Sequence, residues 1–178
     1  MQYFGGKSRL AKPISQEINR LLQPGQPYVE AFCGSCNVIS HVDPHRIRIA
    51  NDLHYYLIQM WQQAQMDANV FPSQVSQEQY YQIKATGADW LKGFVGFGCS
   101  SAGKYWNGYA RNNQGTNYAA RSKRALLQKI HHLNDVQFLN LSYDQISLPP
   151  QSLVYCDPPY ANATGYSTGK FDHPKFLS

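Results

Sequence analysis

The chain has 178 residues, which suits one domain of ordinary size or one core with a sizeable insertion. Hydrophobic residues make up 43% of the composition, yet no apolar run approaches the roughly 18 residues that a membrane span requires. The formal net charge is +5. Polar and glycine residues follow Met1 at once, so no secretory leader is predicted.

The four cysteines are too sparse and irregular for a disulfide framework. Cys33 and Cys36 have the spacing of half a zinc site or of a redox pair, but no second Cys-x-x-Cys matches them. Small packed thiols are the simpler interpretation. A reducing, cytoplasmic setting is therefore expected.

Hydrophobic periodicity predicts the first elements in chain order. Apolar residues three or four apart predict an amphipathic helix over 8–22, with Ser8 as its N-cap. Two short strands are predicted over 28–32 and 46–50. A helix over 53–65 follows the second strand.

The second half of the chain begins with helical and glycine-rich segments. Ser76 and Gln79 form a capping-box pattern that opens a helix towards Ala85. Residues 87–117 contain seven of the thirteen glycines, which predicts loops and turns rather than a packed helix. The last predicted elements are a helix over 118–132 and strands over 136–140 and 152–156.

This alternation of strands and helices predicts an α/β fold with a mostly parallel sheet. Ligands bind such sheets beyond the carboxyl ends of the strands. Three short stretches fall there: FCGS (32–35) after the first strand, ND (51–52) after the second, and DPPY (157–160) after the last. Their convergence at one edge of the sheet indicates a functional site.

Gly34 and Asp52 suit the binding of a nucleoside. A glycine at a strand-to-helix turn lets the backbone approach a ligand closely. Asp52 lies 18 residues after Gly34, about where an acid meets the ribose in nucleotide-binding folds. Asp52 also suits an N-cap for a helix beginning at Leu53. It can bind the ribose and cap the helix together only if the ribose takes one of its two carboxylate oxygens.

The last motif, Asp157-Pro158-Pro159-Tyr160, ends an apolar strand abruptly. Each proline lacks an N–H donor and has a fixed φ, so a sheet ladder cannot continue through the motif. The motif is therefore either a rigid turn or the rim of an active site, and its place among the other two stretches favours the rim.

A basic and aromatic stretch separates the predicted second helix from the later strands. Between Trp90 and Asn134 there is no Asp or Glu, whereas seven Lys or Arg residues are interleaved with aromatic side chains. A field of one sign with aromatic faces attracts a phosphate backbone and unstacked bases. A solvated basic face over a small core would give the same pattern.

Four blocks of sequence together resemble one family. The blocks YFGGKSRL (3–10), YVEAFCGSCNV (28–38), ND (51–52) and DPPY (157–160) occur in the order found in DNA adenine-N6 methyltransferases of the alpha (D12) class. That class includes phage-encoded and bacterial enzymes, which serve restriction-modification or regulatory marking. The resemblance continues into GYSTGKFDH (165–173) and covers nearly the whole chain. It implies a Rossmann-like fold that uses S-adenosylmethionine (SAM), with a helical and loop insertion that binds double-stranded DNA.

The resemblance also implies roles for individual residues. The positions that match the SAM site are Tyr3, Lys7, Phe32, Gly34, Asp52 and Asp157, and the catalytic motif is Asp157, Pro158, Pro159 and Tyr160. In such a site the Asp157 carboxylate and the Pro158 carbonyl accept the two N–H groups of the adenine amine. Tyr160 offers a face on which a flipped-out base can stack, and no metal is required.

In this family the segment between the cofactor half and the catalytic motif carries target recognition. Here that segment spans 65–135, which leaves 1–64 and 136–178 as the SAM-binding and catalytic domain. The resulting candidates for DNA contact are Lys92, Lys104, Arg111, Arg121, Lys123 and Arg124.

Two features depart from the family pattern. Cys36 replaces the second glycine of the family's Phe-x-Gly-x-Gly loop, where its sulfur is expected to crowd the methionine part of the cofactor. The chain also ends 18 residues after Tyr160, so the family's seven-stranded sheet is expected to be incomplete, with strand 152–156 as an exposed edge. A fragment, self-association over this edge, and a non-catalytic DNA- or SAM-binding remnant are the alternatives.

Overall fold

The structure, a computed structural model, describes residues 6–160, 169 and 171–177. The described helices are α1 (Ala11–Leu21), α2 (Tyr55–Asp67), α3 (Gln77–Thr86), α4 (Asp89–Gly98), α5 (Tyr118–Ile130) and α6 (His173–Leu177). The described strands are β1 (Tyr28–Glu30), β2 (Arg48–Asn51), β3 (Val136–Leu139) and β4 (Leu153–Tyr155). None of the helices in these residues is long and apolar enough to cross a membrane.

The described strands form one parallel sheet in the order β3-β2-β1-β4. Val29 at the middle of β1 pairs with Ile49 on one side and Val154 on the other, so the strands end at the same edge. The α/β prediction with a parallel sheet is confirmed. Within the described residues β4 pairs with β1 alone, and the Val154 side chain is 37% exposed.

Local sequence signals predicted the helix starts with mixed success. The capping box is present, since Ser76 Oγ accepts from Gln79 N at 3.1 Å and Gln79 Oε1 accepts from Ser76 N at 2.8 Å. The prediction of Ser8 as the N-cap of α1 is wrong. That helix begins at Ala11, and Leu10 occupies the cap position without a side-chain hydrogen bond.

The prediction of loops and turns throughout 87–117 is wrong for its first third. Residues Asp89–Gly98 form α4, most of which is buried. A β-carbon built on Gly93 would lie 2.0 Å from the carbonyl oxygen of Tyr56, so the glycine allows α4 to pack directly against the backbone of α2. Glycine here serves close helix packing, whereas the sequence alone suggested a break.

One hydrophobic core spans the sheet and the predicted insertion. Tyr28 of β1 and Trp61 of α2 belong to the same buried cluster as Phe71, Phe94 and Leu126 from the 65–135 segment. Three of the four cysteines are buried free thiols and agree with the packed-thiol interpretation, whereas Cys156 is exposed. Segment 65–135 therefore packs against the sheet without a core separate from it.

Candidate functional site

A cleft of about 530 Å³ opens at the carboxyl ends of β1, β2 and β4. It brings together the predicted cofactor and catalytic residues that the structure describes, and they come from four separate parts of the sequence. These residues are Lys7, Phe32, Gly34, Asp52, Asp157, Pro158, Pro159 and Tyr160. Tyr3 lies outside the described residues.

Asn51 fixes the floor of the cleft, a role that the sequence did not indicate. Its side-chain amide donates to the carbonyl oxygens of Ala31 and Leu141, each at 3.0 Å, and its Oδ1 accepts from Leu141 N at 3.0 Å. Asn51 is almost wholly buried. One amide thus ties the ends of β1 and β3 together beneath the cleft.

Lys7 closes a polar cluster around the proline motif. Its Nζ lies 2.5 Å from Asp157 Oδ2 and 4.7 Å from the centre of the Tyr160 ring. The Tyr160 hydroxyl donates to the other carboxylate oxygen of Asp157 at 3.1 Å. Desolvation alone would lower the pKa of Lys7, but its contacts with Asp157 and Tyr160 together raise that pKa. The ammonium therefore stays charged beside the carboxylate.

The Asp52 carboxylate holds the glycine turn in place. Its Oδ2 accepts from Gly34 N at 2.9 Å, and its Oδ1 accepts from His54 N at 2.9 Å. Burial raises the pKa of Asp52. The N-cap of α2 is His54, so Asp52 is not the cap of a helix beginning at Leu53. Each carboxylate oxygen keeps a second lone pair for a ligand hydroxyl.

Glu30 is a buried acid at the cleft, and no sequence signal singled it out. Its side chain is 3% exposed, and its Oε2 lies 3.2 Å from the Tyr28 hydroxyl that donates to it. Burial raises the pKa of Glu30 from 4.5 to about 8. Glu30 is therefore mostly protonated in the folded chain at pH 7.

We expect Glu30→Gln to stabilise the chain by about 3 kcal/mol at pH 7 and by less than about 1 kcal/mol at pH 5. Between pH 4.5 and 8 the unfolded carboxyl ionises while the folded one stays protonated, so wild-type stability falls as the pH rises. Glutamine does not titrate, so the Glu30→Gln variant does not lose stability in this way as the pH rises. Urea unfolding at the two pH values measures the difference, with exposed Glu78→Gln as the control. An equal effect at both pH values would contradict the assignment.

Aromatic side chains from distant parts of the chain line another wall of the cleft. Phe32, next to the glycine turn, lies 5.7 Å from Tyr143 and 5.6 Å from Phe171, ring centre to ring centre. Phe176 of α6 contacts both Phe32 and Tyr143, and Lys175 pairs with Asp144 at 2.5 Å. The short helix α6 is thereby fixed beside the cleft.

The comparison with known families agrees with this geometry. A family model described as D12 class N6 adenine-specific DNA methyltransferase matches residues 3–92 and 99–175, which is most of the chain. The chain belongs to this family. No curated protein matches the chain. Membership supports a methyltransferase as the enzyme class, DNA as the substrate class and adenine N6 as the methylated position in this family.

For a D12 methyltransferase, Cys36 in the glycine loop is the main departure, and the structure shows how it is accommodated. Cys36 has a φ of 53°, in the left-handed region that explains a glycine here in the family pattern. Its side chain is fully buried in the core and is not among the described residues that line the cleft. The sulfur therefore lies in the core and not on the described wall of the cleft, and its effect on cofactor binding stays a prediction.

We expect Cys36→Gly to leave the affinity for S-adenosylhomocysteine within about twofold of wild type. Relief of the left-handed backbone, about 1 kcal/mol, is offset by the lost buried thiol and by glycine's greater chain entropy. Calorimetric titration and urea unfolding measure the two effects. Cys36→Val is the matched variant, since a β-branched residue at this φ should destabilise the fold. A tenfold gain in affinity for Cys36→Gly would mean that the sulfur does crowd the ligand.

The six basic residues predicted to contact the DNA substrate of the methyltransferase lie at different places. Lys104 lines the cleft, and Lys92 of α4 lies 5.6 Å from the Tyr56 ring. Arg111 bonds to Gln77, and Lys123 of α5 donates to a backbone carbonyl at 2.8 Å. Arg121 and Arg124 lie exposed on α5. The structure thus places Lys104 at the mouth of the site, while DNA contact by all six stays a prediction.

Proposed function

We propose that this chain transfers a methyl group from SAM to N6 of adenine in duplex DNA. The observation that carries the proposal is the shared cleft, which Asp157 and Tyr160 line together with Gly34 and Asp52. A nucleoside cofactor and a flipped base need these two sets of groups side by side. Family membership supplies the reaction class.

The cleft fits the cofactor in size and chemistry. A volume of about 530 Å³ lies within the roughly 300–1,000 Å³ of small-molecule sites. Gly34, with φ 47°, brings the backbone to the cleft wall, and Asp52 keeps lone pairs for ribose hydroxyls. Phe32 and Tyr143 offer aromatic surface, and Lys7 offers a cation for a carboxylate. When bound, SAM would supply an electrophilic methyl group on a sulfonium sulfur.

Asp157 and Pro158 make the adenine amine a better nucleophile. The amine's lone pair is delocalised into the purine ring, so it attacks a methyl group poorly. Acceptance of both N–H groups by the Asp157 carboxylate and the Pro158 carbonyl localises the lone pair on N6. As the new N–C bond forms, the methyl–sulfur bond of SAM would break with its electron pair left on sulfur. N6 gains positive charge, which the carboxylate offsets, and one N6 proton then passes to the carboxylate or to water. The two prolines hold both acceptors rigidly.

Lys7 and Tyr160 lie where the flipped adenine base would bind. Tyr160 is 58% exposed at the cleft mouth, so its ring can receive a base that has left the duplex. In the structure the Lys7 ammonium lies over that ring and on Asp157. An incoming amine would therefore displace Lys7 from the Asp157 carboxylate.

The finer organisation is proposed on the same basis. Residues 1–64 and 136–178 form a Rossmann-like catalytic unit, and 65–135 form the target-recognition segment with the six basic candidates. Within the described residues β4 pairs with β1 alone, which supports self-association over its other edge. The enzyme would act in the cytoplasm, where unmethylated phage or bacterial DNA is present.

Incorporation of labelled methyl from SAM tests the proposal directly. The 178-residue chain is incubated with DNA that lacks adenine methylation, and separately with RNA and with protein as acceptors. Label in DNA alone is the expected result. Label in RNA or protein would assign a different substrate, and no label with cofactor binding retained would make the chain a non-catalytic remnant.

A further inference from the structure

The glycine turn is held from beneath by groups outside the cleft motifs. Trp61 Nε1 of α2 donates to the carbonyl oxygen of Gly34 at 3.0 Å. The Lys129 ammonium donates to the carbonyl oxygen of Ser35 and to Asn37 Oδ1, each at 2.5 Å. Three acceptors of the turn, two backbone carbonyls and one side-chain oxygen, are thereby bound by two side chains.

Lys129 reaches the turn from α5, 94 residues further along the chain. Its Nζ lies 5.8 Å from the centre of the Trp61 ring, which provides a favourable face for the cation. Burial is the main influence on the pKa of Lys129 and lowers it. Asn37 is itself oriented, because its amide donates to Ser35 Oγ at 2.8 Å.

These contacts fix which way the turn faces. With the carbonyls of Gly34 and Ser35 bound from beneath, the opposite side of the turn is presented to the cleft, where Gly34 N meets Asp52. An ammonium forms stronger hydrogen bonds to such acceptors than a neutral donor does. A turn without Lys129 would have to find other partners for two part-buried acceptors.

We propose that Lys129 is a positioning residue for the cofactor turn and that α5, through it, sets the affinity for SAM. The proposal rests on the proposed function, since it assigns the turn to the cofactor. It also gives α5 a role in the cofactor site besides the DNA contacts predicted for its exposed residues.

Lys129→Met, compared with Lys123→Met, tests the proposal. Methionine keeps the aliphatic stem but removes all donors. Lys123 is the matched control, because it lies on the same helix and donates to the Asn69 carbonyl, away from the turn. We expect the dissociation constant of S-adenosylhomocysteine to rise about tenfold for Lys129→Met and to stay within about twofold for Lys123→Met.

Steady-state kinetics separate positioning from loss of fold. Partial unfolding lowers the apparent kcat and leaves KM for SAM unchanged, whereas a displaced turn raises KM with kcat within about twofold. If Lys129→Met does not fold, Asn37→Ala removes one of its acceptors and should raise the dissociation constant about threefold. Unchanged affinity in the folded variants would overturn the proposal. If S-adenosylhomocysteine does not bind the wild-type chain, the proposed function is wrong, and so is the role of Lys129 that rests on it.

Discussion

Asp157→Ala is expected to lower the rate of methyl transfer to DNA by about 10³-fold while leaving the chain folded. The carboxylate is the group that localises the lone pair of the adenine amine and offsets the charge developing on N6, and removal of one such preorganised group costs about 10²–10³ in rate. Its ion pair with Lys7 is partly exposed and contributes about 1 kcal/mol or less to stability. Single-turnover transfer and circular dichroism measure the two quantities.

Asp172→Ala is the matched control for this variant. Asp172 also lines the cleft, but its carboxylate accepts from the backbone of Lys175 and not from the catalytic cluster. We expect its activity to stay within about threefold of wild type. An active Asp157→Ala enzyme would overturn the catalytic assignment, and an equal loss in both variants would point to general disruption of the cleft.

Tyr160→Ala is expected to lower kcat/KM for DNA by about 30-fold, because stacking of a base on an aromatic ring is worth about 1–3 kcal/mol. The side chain is largely exposed, so the free energy of unfolding should barely change. Tyr160→Phe keeps the ring and loses only the hydroxyl that donates to Asp157, so its loss should stay below about fivefold.

The two tyrosine variants distinguish stacking from hydrogen bonding. Equal losses in Tyr160→Ala and Tyr160→Phe would assign the effect to the hydroxyl and its bond to Asp157. If kcat/KM for DNA falls in neither variant, Tyr160 does not contact the base. Steady-state kinetics at saturating SAM, with DNA varied, give both numbers.

The convergence of the site could be predicted from the sequence because its signals are local. Each short motif follows a strand, and the parallel sheet found in the structure brings the ends of those strands to one cleft. The glycines of α4 were misleading, since glycine marks both turns and close helix packing, and only the neighbouring helix distinguishes them. Sequence spacing has no means of identifying α2 as that neighbour.

The support of the site depends on contacts between residues far apart in the chain. Lys129 meets Ser35 across 94 residues, and Asn51 meets Leu141 across 90. Nothing in the local pattern around Lys129 separates it from the other basic residues of α5. The unusual pKa of Glu30 likewise follows from burial, which a three-residue strand does not reveal by itself.

The identity of the methylated product tests most directly whether the chain transfers methyl groups to adenine N6. Unmethylated duplex DNA is treated with the 178-residue chain and SAM, digested to nucleosides and analysed by mass spectrometry, with Asp157→Ala treated in parallel. The proposed reaction predicts N6-methyladenine from the wild-type chain and a signal about 10³-fold lower from the variant. A different methylated nucleoside, or equal N6-methyladenine from both chains, would contradict it.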